Sequence, residues 1–174
     1  METYRTSGAV AGLLTEEQVL LLCQQTCGAC VHLHSRGINH GDLYSHNILV
    51  QMGGASLGLA KDKDKDKGDG KEGKEDDGED VRCILTDFGA ASQYVQGGLD
   101  SDSGVQRLEV RAFGCLVDDL LMVLQRDKVG AVEVVAVQET DSIIIGMLRN
   151  VRDACMGPVE QRPLFLQIAE MLQL

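Results

Sequence analysis

Residues 40–47 read "HGDLYSHN", and the apolar run that follows them is short and strand-like. His40, Asp42 and Asn47 thus stand on one loop at the edge of a strand, and a second acid, Asp87, ends another short apolar run, "RCILTDF". If the two runs pair as a hairpin, both carboxylates and the amide arrive at one end of it. Carboxylate and amide oxygens are hard donors, suited to a Mg²⁺ ion that bridges phosphates. A carboxylate left clear of the metal can take the proton from an attacking hydroxyl.

The elements that must position these groups follow from pattern. Residues 15–36 open with Thr15 and carry Gln18 three positions on, a capping-box signature, and Gly37 ends the helical period. "NILV" and residues 82–88 are the expected strand pair. Residues 89–107 are small, polar and Gly-rich, which predicts a loop. "LEVRAFGCLVDDLLMVLQRD" is an amphipathic helix buried along one side. Residues 131–150 are helical at their end and ambiguous before it, because β-branched residues crowd the run. The tail turns at Pro163 into a terminal helix. The expected fold class is mainly α with a small β-hairpin, in one domain spanning 1–174.

Residues 52–80 interrupt the strand pair with 29 positions. From Lys61 to Asp80 there are six lysines, ten acids and no apolar residue. Such a segment cannot offset its ordering entropy by burial, so it is expected to be a disordered, solvated insertion.

Composition excludes several classes. A net charge of −11 disfavours a sequence-independent grip on nucleic acid or on an anionic membrane. No run approaches the ~18 apolar residues of a membrane span, and Glu2 with no long apolar core argues against a signal peptide. The chain therefore reads as soluble and cytoplasmic, with its six cysteines reduced. Cys23, Cys27 and Cys30 fall at i, i+4 and i+7 of a helix; small buried thiols on a core face are a better reading than a zinc or redox site.

"HGDLYSHN" resembles the protein-kinase catalytic loop H-R-D-L-x-x-x-N, and "DFG" at 87–89 resembles the kinase metal-binding motif. Asp42 and Asp87 are 45 positions apart (87 − 42), of which the interruption takes 29. "LEVRAFGCLVDDLL" is similar to the central helix of the kinase C-lobe, and "CMGPVEQRPLFLQIAEML" to the closing segment of tyrosine-kinase-like kinases. The resemblance runs from about residue 13 to the C-terminus. It implies a kinase-like C-terminal lobe, with ATP and Mg²⁺ as cofactors and a protein hydroxyl as acceptor. Asp42 would be the catalytic base, and Asn47 and Asp87 would hold the metal. Leu49 would floor the adenine pocket. His40 and Phe88 would stack beneath the site, with Gly89 and Glu109 as further structural support.

The departures are as informative. Residues 1–41 hold no G-x-G-x-x-G, and residues 1–37 hold no lysine, so the N-lobe that clamps ATP is absent from this sequence. Tyr44 takes the place of the catalytic-loop lysine, and Gly41 that of the arginine that binds a phosphorylated activation loop. No A-P-E occurs, which leaves Arg162 without its usual glutamate, to meet another acid or face solvent. Glu109 stands where the family has Asp, and could still accept loop N–H groups. The expected function is that of a protein-kinase domain fragment with little or no activity alone and weak ATP binding. The alternatives are a non-catalytic, pseudokinase-like interaction module, whose exposed face takes an N-lobe or other partner in trans, and a small-molecule phosphotransferase, since some of those also carry "HGD".

Overall fold

A computed structural model describes residues 14–51, 81–94, 101–129 and 142–174, with backbone alone at 101–103 and 126–129. The expected charged insertion lies outside the described residues. The order is α1 (Glu16–His34), β1 (Ile38–Asn39), β2 (Ile48–Gln51), β3 (Arg82–Leu85), β4 (Ser92–Gln93), α2 (Ser101–Val129), α3 (Ile143–Met156) and α4 (Phe165–Met171). Single turns of 3₁₀ helix occupy Ser45–Asn47, Phe88–Ala90 and Val159–Gln161. The mainly helical fold with one small hairpin is the one the sequence predicts, and it is compatible with a kinase-like C-terminal lobe.

The start of α1 follows its sequence signal. Thr15 Oγ1 accepts the Gln18 amide, and the Gln18 side chain accepts the Thr15 amide in return. Gly37 leaves the helix at φ +69°, a conformation open to a residue without Cβ. Val19, Leu22, Cys23, Cys27 and Cys30 form the buried stripe of α1. Of these, Val19, Cys23, Cys27 and Cys30 meet Val110, Phe113 and Val117 of α2, Leu148, Val151 and Cys155 of α3, and Phe165 and Ile168 of α4 in one core. The Phe113 and Phe165 rings meet edge to face at 5.5 Å, an arrangement that matches ring edge to ring face.

β2 and β3 pair antiparallel, Ile48 opposite Leu85 and Leu49 opposite Ile84. Ile48 and Leu85 pack on the core, whereas Leu49 and Ile84 stand about half exposed on the outer face. A second pairing joins β1 to β4, Ile38 opposite Gln93. It falls in the stretch expected to be loop, because two-residue strands carry no period to read. α2 also starts earlier than its apolar pattern, at Ser101, inside the same stretch. α3 begins at Ser142, whose side chain accepts the Ile145 amide; residues 130–141 lie outside the described set. Among the described residues no helix is long and apolar enough to cross a membrane.

Candidate active site

The loop between β1 and β2 is held from beneath. Leu43 is buried and anchors it, while Asp42 and Tyr44 on either side are exposed. Gly41 has φ +79°, and a Cβ built there would sit 2.3 Å from the Ala90 carbonyl oxygen. Only glycine allows the two loops to approach so closely, so an arginine at this place has no room in this geometry. The Gly41 amide donates to Glu109 Oε1 at 2.8 Å. Glu109, on α2 and 5 % exposed, thus reaches the loop as the sequence comparison allowed, despite its extra methylene.

The other oxygen of that carboxylate meets His34 Nε2 at 2.5 Å. His34 ends α1, so one buried acid ties the helix, the loop and α2 together. The His34 ring also stands edge-on to Phe165 at 4.9 Å. Sequence reasoning missed His34. Its signal was available as a histidine in the last turn of α1 beside a helix that carries a buried acid.

Asn47 is buried, and its side-chain nitrogen donates to the Asp42 main-chain oxygen at 2.8 Å and to Asp42 Oδ2 at 3.0 Å. The amide is thereby oriented: its nitrogen turns toward Asp42, and its oxygen makes no hydrogen bond among the described residues. The Asn47 carbonyl accepts both the Thr86 amide (2.8 Å) and the Thr86 hydroxyl (3.0 Å). Thr86 immediately precedes Asp87, so these two bonds set Asp87 against the loop.

Asp87 itself takes a left-handed backbone, φ +59° and ψ +71°, which Asp tolerates better than most residues. Its Oδ1 accepts the Gly89 amide at 3.2 Å, closing a small turn that leaves the carboxylate exposed. Below it, His40 is fully buried and its Nε2 donates to the Thr86 carbonyl at 2.8 Å. The bond places the ring proton on Nε2, and Nδ1 has no hydrogen-bond partner among the described residues. The Phe88 ring meets the His40 ring at a tilt of 59°, centroids 4.7 Å apart.

The structure therefore brings Asp42, Asn47, Thr86, Asp87, His40 and Phe88 into one connected set, with Glu109 and Gly41 behind it. Leu49 stands apart on the outer face of the hairpin, 49 % exposed. Arg162, half-buried, meets no acid among the described residues: its Nε donates to the Gly157 carbonyl at 2.9 Å and one Nη to that of Arg107 at 3.2 Å. Tyr44 and His46 rings lie 5.1 Å apart where the family pattern carries a cation.

The donor set fits a hard divalent ion. Among the described residues the Asn47 amide oxygen makes no hydrogen bond, and the exposed Asp87 carboxylate has one oxygen, Oδ2, without a partner. Two such groups leave room for the water and phosphate oxygens that Mg²⁺ keeps in its shell.

The profile of the lipopolysaccharide kinase (Kdo/WaaP) family matches residues 4–67, a stretch that contains His40, Asp42 and Asn47. Among curated proteins, the serine/threonine-protein kinase ste20 of Aspergillus fumigatus is 40% identical over 42 residues, 24% of this chain and 5% of that protein. The serine/threonine-protein kinase shk2 of Schizosaccharomyces pombe is 44% identical over 41 residues, 24% of the chain and 7% of its own length. The serine/threonine-protein kinase MST20 of Pyricularia oryzae is 43% identical over 42 residues, again 24% of the chain and 5% of the relative. The aligned stretch is thus well under a tenth of each of these relatives. A kinase match implies use of ATP, typically with Mg²⁺. The family match and the partial similarity to serine/threonine kinases make the chain kinase-like over the matched stretch, and the helical fold is compatible with that likeness.

Proposed function

We propose that the chain is the catalytic-loop lobe of an ATP-dependent phosphotransferase of protein-kinase type, which needs a phosphate-clamping lobe from elsewhere to turn over. The observation that carries this reading is the oriented Asn47 amide: its nitrogen holds Asp42, its oxygen makes no hydrogen bond among the described residues, and its main chain sets Asp87. Asp42 is the base. Its exposed carboxylate takes the proton of the acceptor hydroxyl as that oxygen bonds to the γ-phosphorus and the bond to the ADP oxygen breaks. Asn47 and Asp87 would hold Mg²⁺, which when bound neutralises charge on the phosphate oxygens. His40 and Phe88 support the loop that carries Asp87, and Leu49 offers its exposed side chain to the adenine ring.

Catalysis by these residues alone is expected to be very slow. Phosphoryl transfer depends on positioning and charge stabilisation, and losing one preorganised donor can lower the rate about 10²–10³-fold. The glycine-rich loop and clamping lysine are not found ahead of Asp42, and Tyr44 supplies no charge in place of the loop lysine. The half-exposed Leu49, Ile84 and Phe88 would then be covered by that second lobe, supplied in trans or by a longer product.

A protein hydroxyl is the proposed acceptor, on the strength of the "DFG", "VRAFG" and "RPLF" matches. A small-molecule acceptor is the second reading, favoured by the lipopolysaccharide-kinase match and by Gly41 in "HGD". The test is an amide NMR titration of the 174-residue chain with MgADP. Shifts confined to Asn47, Leu49 and 86–89, lost in Asp87→Asn, are the expected result. No shift at these amides by 10 mM (roughly the weak end of metabolite binding) would remove the proposal.

A further inference from the structure

Gln25 lies midway along α1, between Cys23 and Cys27 of the buried stripe. Its side-chain amide makes two hydrogen bonds to the main chain of β3: Nε2 donates to the Val81 carbonyl at 2.8 Å, and Oε1 accepts the Cys83 amide at 2.6 Å. This is the bonding pattern of a parallel strand, in which one residue donates to position j−1 and accepts from position j+1 of its neighbour. A single side chain therefore occupies the edge of β3 opposite β2. The adjacent residue strengthens the grip, since Thr26 Oγ1 lies 3.2 Å from Cys83 Sγ.

The place of this clamp is informative. Val81 is the first described residue after the 29-residue interruption, and it is 1 % exposed. Closing a connection of that length is entropically disfavoured: by loop-closure scaling it forms roughly 20-fold less readily than one of four residues. β3 has only four residues with which to offset this, and the register it must hold is critical. Thr86 and Asp87 follow directly, and a slip of one residue would turn Asp87 away from Asn47.

We infer that Gln25 is a positioning residue for the metal-binding pair, standing in for a third strand so that β3 docks in register on its return from the interruption. This rests on the reading of Asn47 and Asp87 as metal holders. The chain of positions is continuous: Gln25 fixes Val81 and Cys83, β3 carries Thr86 to the Asn47 and His40 bonds, and Asp87 comes next.

The experiment compares Gln25→Ala in the full chain and in a chain whose residues 53–79 are replaced by an Asn-Gly turn. Two quantities are read by amide NMR: hydrogen exchange at Thr86, whose amide is bonded to the Asn47 carbonyl and not to Gln25, and the Mn²⁺ concentration that broadens the Gly89 amide. In the full chain both should move at least about 10-fold, as for a lost pair of hydrogen bonds. In the shortened chain both should stay within about threefold, because little closure entropy remains to oppose. Faster Thr86 exchange with an unchanged Mn²⁺ response would make Gln25 merely structural and overturn the inference, and so would equal losses in the two chains. Should Gln25→Ala fail to fold, Gln25→Glu keeps the acceptor for the Cys83 amide, drops the donor, and is read the same way. If the unaltered chain shows no Mn²⁺ response at all, the metal reading falls and takes the positioning role with it. The exchange ratios then still decide whether the clamp exists to seat the returning strand.

Discussion

Glu109 and Gly41 are 68 residues apart in the chain and joined by a 2.8 Å hydrogen bond from main-chain amide to carboxylate. The bond explains how a loop with a left-handed glycine keeps its shape. The Gly41 amide is bonded to no main-chain carbonyl among the described residues, and a buried acid accepts it instead. Because the second oxygen of Glu109 meets His34, the same acid also fixes the distance between α1 and α2.

Glu109→Ala should therefore strand the buried His34 ring and deprive the Gly41 amide of its acceptor at once. Removing one partner of a buried, charge-assisted network typically lowers stability by about 3–5 kcal/mol. Glu109→Gln retains an oxygen for the Gly41 amide and should lose roughly half of that. Urea unfolding of the two variants measures it; a loss under about 1 kcal/mol for the alanine variant would show that the loop does not depend on Glu109.

Gly41→Ala adds one methyl group, but at φ +79° and 2.3 Å from the Ala90 carbonyl oxygen. The backbone strain alone is worth about 1–3 kcal/mol, and the Phe88–Ala90 turn must move away as well. The expected result is a thermal midpoint lowered by several degrees, roughly 4 °C or more, with amide shifts spreading to 87–91. Gly41→Arg, which would restore the kinase pattern on paper, should behave worse than alanine. An arginine variant as stable as the parent would mean the two loops do not meet as described.

Much of this site could be read from the sequence, and what escaped has a common cause. His40, Asp42, Asn47 and Asp87 announce themselves because chemistry fixes their types and spacing. The Thr15–Gln18 box and the buried cysteines of α1 are equally plain, since helix ends and helix faces are local patterns. Residues whose role is to bond a distant main chain leave no such trace. Gln25, His34 and Thr86 act over 56, 75 and 39 positions, and their partners are fixed by the tertiary fold. Arg162 was open for the same reason: its partners are carbonyls at Gly157 and Arg107, groups every residue carries. The β1–β4 pairing was missed because two residues show no alternation.

Asn47→Asp tests the orientation of the site without altering its size. It replaces the nitrogen that donates to Asp42 Oδ2 at 3.0 Å with a second carboxylate oxygen. Two like charges at that distance oppose each other in a buried place, and the Asp42 main-chain oxygen loses its donor as well. Stability at neutral pH should fall by about 1–3 kcal/mol, and most of it should return below about pH 4, where a protonated carboxyl donates again. Thermal unfolding of parent and variant at the two pH values decides it; a loss that does not diminish in acid would point to packing as its source.

The thiols give a prediction of opposite sign in pH. Burial pushes Cys23 and Cys155 from an ordinary value of 9.0 up to about 12, and it raises Cys30 well above its ordinary value too. The folded chain thus holds these protons at pH values where the unfolded chain has released them. Their contribution to stability is complete below pH 9 and is lost as pH rises toward 12, because above 9 the unfolded state binds fewer protons than the native one. Each displaced thiol contributes a slope of about 1.4 kcal/mol per pH unit in that window. Urea midpoints measured from pH 8 to 11 should therefore fall with increasing steepness, and the fall should be shallower in Cys23→Ala. Alkylation at pH 8 gives the companion result, with Cys115, exposed on α2, labelled in the native chain and Cys23, Cys30 and Cys155 labelled only after unfolding. Native labelling of Cys23 at a rate near that of Cys115 would mean that the stripe of α1 is not packed into the core.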